Sequence, residues 1–441
     1  MKKMKDKLDK LNSRRILIRD IFDKNIKEIE IAGWVHNTRE LGKIKFLILR
    51  DLSGIIQITA TKGKTKDEIF DSITKISRES VIYIKGKVKA SKQAPGGKEI
   101  VPSEMITINK AEKLPIDVSE FSKTELPKRL DYRFLDLHRK RIQSIFKIQS
   151  TISMTFREHF IKKGFIEFQP PSVISSSSEG GTELFKVKYF EKNAFLAQSP
   201  QLYKQMVACS MEKAMTITPV WRAEKHNTVR HLNECRQMDI EMAFAKTMDI
   251  MKQIEEVVKD IVKNVLEKNK KELEVLGVKN LKIPKAKYMT FAEIADLMKK
   301  HKVKIEEDDL SQEAERKLDE IFPETIVFVY DWPLSGKPFY IMPKDENPNA
   351  ELSEGFDAIY RGMEISSGGQ RIHLPELLIK RLKAKGLNPN NFKSYIDSFR
   401  YGAPFHGGWS IGLERFTQVL LGLENIREGT MFPRDRDRLI P

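Results

Sequence analysis

MTITPVWRAE, residues 215–224, and CRQMDIEMAF, residues 235–244, flank the ten residues KHNTVRHLNE. Each flank is a short run with β-branched or aromatic residues, and each reads as a strand. The piece between them is polar and too short for a crossover helix, so the unit is strand–loop–strand. The other strand-like runs in this half are FIEFQPP (165–171, halted by Pro170 and Pro171), FLAQS (195–199), ETIVFVYDW (324–332) and KPFYIMP (337–343). They do not alternate with helices in βαβ order. The expected class is therefore α+β with a mostly antiparallel sheet.

Helices are few and long. Residues 138–164 carry Ile142, Ile145, Ile148, Ile152, Phe156 and Phe160 at helical spacing and end at Gly164. A second helix is expected over about 247–273 and a third amphipathic one over 310–321. The Lys-rich residues 263–316 read as a helical insertion. Upstream, IEIAGWV (29–35), IKFLILRD (44–51), GIIQITA (54–60) and SVIYIKGKVKA (80–90) are short strands, with a helix-compatible stretch at 66–77. That order suits a small closed barrel of the OB type, with an open antiparallel sheet as the alternative. Residues 1–105 are thus one domain. Residues 106–135, with Pro115 and Pro127, are a hinge, and 136–441 are a second domain.

The chain has 441 residues and a formal net charge of +16, which favours polyanionic partners, nucleic acid first. Two cysteines, Cys209 and Cys235, exclude a disulfide scaffold and a four-thiolate zinc site, and they suit a reducing cytoplasm. No apolar run reaches membrane-spanning length and the N-terminus has no apolar signal core, so secreted and membrane classes are excluded.

Four stretches carry candidate chemistry. SSSSEGGTELF (175–185) offers Glu179 and Glu183 beside two glycines. In 220–234, Arg222 and Glu224 fall on one strand face and Arg230 and His231 follow. Guanidinium groups there suit phosphates and flat rings. In YRGMEISSGGQRIH (360–373), Glu364 and Ser367 offer hard oxygens for Mg²⁺ and Arg371 can meet a carboxylate. In RYGAPFHGGWSIGLERFTQVLLGL (400–423), Gly407, Gly408 and Gly412 would let a ligand approach the backbone. Arg415 lies in the first turn of the helix that follows, where the dipole disfavours a cation, and a triphosphate would justify it. No P-loop and no strand-borne G-x-G-x-x-G is present.

From about residue 14 to Pro441 the chain resembles class II aminoacyl-tRNA synthetases, in particular aspartyl-tRNA synthetases of the archaeal and eukaryotic type. Residues 138–171 resemble motif 1, Trp221–Glu224 through Arg230–Leu232 motif 2, and Gly412–Arg415 motif 3. Trp221 stands where the family has Phe. The resemblance implies ATP as substrate and Mg²⁺ at Glu364 and Ser367. It implies an ATP site at Arg222, Glu224, Arg230, His231, Leu232, Glu364, Gly412, Leu413, Glu414 and Arg415. It implies an L-aspartate site at Glu179, Gln201, Lys204, Arg222, Asp239, Ser367 and Arg371. Arg222, Glu364 and Arg415 would carry the catalysis.

The resemblance also implies a homodimer built on motif 1, in the cytoplasm. QSPQLYKQ (198–205) is similar to the aspartyl form, since asparaginyl relatives tend to have Ala at Pro200 and to lack Lys204. On the barrel, the resemblance implies that Phe46 stacks on an anticodon base while Gln57 and Glu99 read base edges, although on the sequence alone Phe46 reads first as core. Strict relatives tend to carry Trp at His36 and Lys at Pro95. His36 and Pro95 resemble relatives that charge tRNA(Asn) as well as tRNA(Asp) and leave the product to an amidotransferase. A strictly tRNA(Asp)-specific enzyme, an asparaginyl-tRNA synthetase and a non-catalytic nucleic-acid-binding paralogue remain alternatives.

Overall fold

A computed structural model describes residues 11–175, 183–225 and 227–441, and divides the chain into compact units at Asp117/Val118. In the first unit, β1 (Glu28–Leu41), β2 (Ile44–Arg50), β3 (Ile55–Thr61), β4 (Val81–Ala90) and β5 (Lys98–Asn109) close into a barrel in the order β1-β2-β3-β5-β4. Helix α1 (Asp67–Ile73) lies between β3 and β4, the expected OB arrangement. Alternation sends Ile31, Leu47, Leu49, Ile56, Ile58, Ile82, Ile84 and Ile100 inward. The four strands read from the sequence stand, and the fifth was missed. β5 begins after a turn at Pro95–Gly97 and includes Pro102, which hides its strand character.

The expected hinge at 106–135 is corrected. Its first residues finish β5, and its last form short helices at Leu126–Asp131 and Arg133–Asp136 that belong to the second unit. Pro127 does not break structure here. It sits in the first turn of a helix, where its missing N–H costs nothing.

The second unit is built on an eight-stranded sheet. Its strands are β6 (Ile166–Glu167), β10 (Lys213–Trp221), β11 (Glu234–Ala243), β12 (Lys285–Thr290), β13 (Thr325–Tyr330), β14 (Gly355–Tyr360), β15 (Met363–Gln370) and β16 (His406–Gly412). Their order is β12-β13-β14-β15-β16-β11-β10-β6, antiparallel except for the two outer pairs. A small sheet of β7 (Val173–Ile174), β8 (Lys186–Tyr189) and β9 (Lys192–Leu196) stands apart.

One face of the large sheet is apolar. Met238, Ile240, Phe356, Ala358, Ile365, Trp409 and Ile411 pack against α2 (Lys140–Lys162) and α4 (Thr247–Lys268). Helix α3 (Gln201–Met211) packs on β10, β11 and β16. KPFYIMP is not a strand. Phe339, Tyr340, Ile341 and Met342 form a buried apolar loop touching the sheet through isolated bridges, because a short apolar run does not distinguish strand from buried coil.

Residues 263–316 are likewise not a purely helical insertion. Residues 263–268 complete the core helix α4, where Val265 is fully buried. α5 (Lys270–Leu276), the edge strand β12 and α6 (Phe291–Lys300) follow, and α7 (Gln312–Ile321) crosses the 316 boundary. Lysines hide β12 in the sequence while suiting an exposed edge.

The glycines of β16 do a different job from the one expected. A Cβ at Gly408 would sit 2.1 Å from the Ile240 carbonyl oxygen, and one at Gly407 the same distance from Ile250 Cδ1. They let strands and a helix close-pack, and only Gly412 is open towards ligand space, with Arg415 Cβ 3.7 Å away. α8 (Leu413–Leu421) follows at once, with Phe416 and Leu420 in the core.

Candidate active site

A row of polar residues crosses the other face of the sheet. Thr216 on β10 pairs with Asp239 on β11, Asp239 with Ser410 on β16, Ser410 with Ser367 on β15, and Ser367 with Asp357 on β14. Directly opposed residues share a face, so five short polar side chains line up across five strands. Glu364 is three residues from Ser367 and in an unbroken strand would face the other way. The register of β14 and β15 slips by one residue at Ile365, and this bulge re-aims Glu364 towards Ser367 and Asp357.

Above the row lies a cavity of about 310 Å³. Of the fifteen described residues in the ATP, aspartate and metal groups, fourteen line it: Gln201, Lys204, Arg222, Glu224, Arg230, His231, Leu232, Asp239, Glu364, Ser367, Arg371, Gly412, Glu414 and Arg415. Leu413 is the exception and corrects the expected ATP site: it turns into the core and is 7% exposed. Glu179 lies outside the described residues. Arg222 and Glu224 follow the end of β10 instead of extending it. Asn233 holds them by donating from Nδ2 to the carbonyls of Arg222 (2.6 Å) and Glu224 (3.0 Å).

One end of the cavity is a buried charge cluster. Lys204 Nζ lies 2.7 Å from Asp239 Oδ1 and 3.6 Å from Glu241 Oε2, and donates to the Trp409 carbonyl. Arg371 donates to both Glu241 oxygens at 2.9 and 3.3 Å and to the Gly408 carbonyl. Burial pushes the Asp239 carboxyl above its usual value, against the pull of Lys204. Below this cluster the amides are fixed by logic. The Pro404 carbonyl only accepts, so His406 Nδ1 donates to it, and burial keeps that ring neutral. His406 Nε2 must then accept from Gln205, whose Oε1 accepts from Tyr395 O–H and from Gln201. The Gln201 amide is thereby oriented before any ligand arrives.

The other end is more open. Glu364 is half-buried, and its carboxyl is pushed up to about 7 by burial and then by the Asp357 carboxylate, opposed by Arg415 and Lys337. Arg415 reaches the Glu364 carbonyl at 3.4 Å, and Lys337 pairs with Asp357 at 2.7 Å. Among the described residues no cluster of three His, Cys, Asp or Glu could hold a metal by itself. Two carboxylates that repel each other, with the Ser367 hydroxyl beside them, are nonetheless hard oxygen donors of the kind that would hold Mg²⁺. Glu414, whose Oε2 accepts from the Arg236 N–H, is also pushed up to about 7 by burial. Cys235 lines the cavity, but burial pushes its thiol up to about 12, so it is no nucleophile. Gln237 and Ser366 line the cavity, and Gln237 Oε1 and Ser366 Oγ are buried without a hydrogen-bond partner among the described residues.

A protein-family model described as tRNA synthetases class II (D, K and N) matches residues 125–436. The chain belongs to the class II tRNA synthetases. It is an aminoacyl-tRNA synthetase, a ligase. An OB-fold nucleic acid binding domain matches residues 29–108. The chain is 49% identical over 420 residues to an aspartate–tRNA(Asp/Asn) ligase of Methanocaldococcus jannaschii, covering 94% of this chain and 95% of the relative. It is 45% identical to a protein of the same name from Methanopyrus kandleri, covering 95% and 97%. Among solved structures, asparaginyl-tRNA synthetase from Pyrococcus horikoshii with asparaginyl-adenylate superimposes with a TM-score of 0.91 at 34% identity, covering 97% of this chain and 99% of that one. A putative aspartyl-tRNA synthetase from Leishmania major gives 0.86 at 27% identity, covering 98% and 99%.

As a synthetase of this class the chain has a second candidate surface on its barrel. Phe46 is half-buried and faces outward, not into the core. Register places Phe46 opposite Thr59 and Ile48 opposite Gln57, and Gln57 pairs with Glu99. Gln57 Nε2 and Thr59 Oγ1 both donate to Glu99 Oε2, at 3.1 and 2.7 Å. The three expected anticodon residues thus share one face. His36 sits elsewhere, at a bulge in β1, with Nδ1 3.5 Å from Arg50 Nη1 and its carbonyl accepting from Arg78. Pro95 is exposed in the turn before β5.

The sequence reading missed Glu241, Ser410, Asp357 and Gln205. The alternation of β11 could have flagged Glu241 from Asp239. The other three depend on pairings between distant strands and helices.

Proposed function

We propose that the protein activates L-aspartate with ATP and transfers it to tRNA(Asp) and also to tRNA(Asn). The observation that carries this reading is one cavity with Lys204 and Arg371 at its closed end and Arg222, Glu364 and Arg415 at its open end. Arg371 spends Nε and Nη2 on Glu241 and Gly408, and Lys204 holds its ammonium beside Asp239. The side-chain carboxylate of aspartate fits between these cations, and the substrate ammonium fits Asp239. A carboxamide would leave a buried cation underpaired.

In the first step an oxygen of the substrate α-carboxylate attacks the α-phosphorus and pyrophosphate leaves. Arg222 would hold the α-carboxylate and α-phosphate together, and Arg415 would take the γ-phosphate charge. Glu224 would orient the adenine. Catalysis is positioning and charge stabilisation, with no protein nucleophile. Glu364 and Ser367, beside Asp357, would hold Mg²⁺, which supplies charge neutralisation on the phosphates. In the second step the terminal ribose hydroxyl of tRNA attacks the activated carbonyl and AMP leaves.

The barrel, residues 11–117, would bind the anticodon, with Phe46 stacking and Gln57 and Glu99 reading edges. His36 and Pro95 and the names of the relatives support charging of both tRNAs, the product on tRNA(Asn) passing to an amidotransferase. Met154 and Ile161 on α2, both 56% exposed, support burial of that helix face in a homodimer. Among the described residues no helix is long and apolar enough to cross a membrane, and the two free cysteines support a reducing, cytoplasmic setting. Pyrophosphate exchange should require aspartate and not respond to asparagine. Transcripts of tRNA(Asp) and tRNA(Asn) should both be charged, and an uncharged tRNA(Asn) would restrict the enzyme to tRNA(Asp).

A further inference from the structure

Helix α7 presents Ala314 and Leu318 to the core, and Glu315 lies beside them with 8% exposure. A buried carboxylate is costly unless each oxygen has a donor. Here both do. Glu315 Oε2 accepts from Arg230 Nη1 at 3.0 Å, and Oε1 accepts from the Glu364 N–H at 3.1 Å. One carboxyl group therefore ties the loop between β10 and β11 to the bulged end of β15. Neither partner is a neighbour in sequence, and both line the cavity whereas Glu315 does not.

The location on α7 is also favourable. Glu315 is in the first turn, after Ser311 accepts from the Ala314 N–H, where the helix dipole stabilises an anion. A purely structural helix could place an apolar residue here, as it does at 314 and 318. The acid instead uses one oxygen to hold a guanidinium at the open end of the cavity and the other to fix the backbone of the strand carrying Glu364. Arg230 keeps further N–H donors for a phosphate after this pairing.

We propose that Glu315 is a positioning residue for ATP: it pre-aims Arg230 and clamps the backbone at Glu364 so that both meet the phosphates without reorganisation. This rests on the reading that Arg230 and Glu364 serve ATP. The consequence is that α7, which packs on β14 and β15, should control the nucleotide and leave aspartate recognition alone.

The test is steady-state pyrophosphate exchange with the full-length enzyme carrying E315Q, E315A, R230A or R230A with E315A, together with melting temperatures. E315A should raise KM for ATP by roughly 10- to 100-fold, the range of a lost charge-assisted hydrogen bond, with KM for aspartate unchanged. E315Q keeps the shape and one acceptor, and should fall between wild type and E315A. Adding E315A to R230A should cost less than E315A costs alone, because the two share one interaction. Unchanged KM for ATP in E315A overturns the proposal. So does an equal rise in both KM values with a lowered melting temperature, which would mark Glu315 as only structural. Should wild type show no aspartate-dependent exchange, the functional reading fails. Equilibrium binding of a non-hydrolysable ATP analogue then tests Glu315 separately, and equal affinity in wild type and E315A overturns it.

Discussion

The two ends of the cavity are built on opposite plans. At the amino-acid end Lys204, Asp239, Glu241 and Arg371 are each 2% exposed or less and satisfy one another. At the phosphate end Arg222, Glu224, Glu364 and Arg415 are only part-buried, and like charges face each other at Glu364 and Asp357. A prebuilt cluster selects a ligand by matching charges already fixed in place. An open, frustrated cluster waits for a ligand to balance it. On the proposed function, specificity belongs to the first end and chemistry to the second.

That contrast can be broken at several points. The largest effect is expected from R222A, which should lower the exchange rate by at least about 10³-fold while leaving the melting temperature unchanged. At the closed end E241A should do the reverse in kind. It leaves the buried Arg371 guanidinium without its carboxylate and removes the second acid beside Lys204, so it should cost about 3–5 kcal/mol of stability, read by denaturant unfolding, before activity is considered.

Glu414 sharpens the comparison through pH. Its folded carboxyl, at about 7, lies above the ordinary value of 4.5. The folded state therefore holds the proton more tightly, and this contribution to stability is full at low pH and is lost as pH rises from about 4.5 to about 7. E414Q should remove that part of the slope, at most about 3 kcal/mol, from unfolding curves recorded across the window. The barrel repeats the division on a smaller scale, with Gln57, Thr59 and Glu99 prebonded and Phe46 open. F46A should weaken tRNA binding by about 1–3 kcal/mol without changing aspartate-dependent exchange.

Much of this was legible from sequence because it is local. The apolar stripe of α2 and the alternation in β1 to β4 announce themselves within a dozen residues. The strand pair around 220–234 does so too. Arg415 stood out as a cation where the helix dipole disfavours one, Arg222 as a guanidinium on a strand and Glu364 as a hard oxygen donor, while Lys204 came from the family resemblance. What stayed hidden depends on distant neighbours. Gly407 and Gly408 resemble a ligand-approach loop until Ile240 and Ile250 are placed beside them. Asp357 and Ser410 gain meaning only from cross-strand register, and the bulge at Ile365 has no sequence mark. Pro127 read as a breaker because its position within a helical turn was unknown.

The polar row from Asp239 to Asp357 spans three strand-to-strand steps, about 14 Å at the usual spacing. That distance is set by main-chain hydrogen bonding and is the same whatever residues occupy the strands. The sheet is thus a ruler whose graduations mutation cannot move. Evolution can repaint the marks and so change which amino acid is read, but the gap between the reading head and the phosphate clamp is inherited with the backbone.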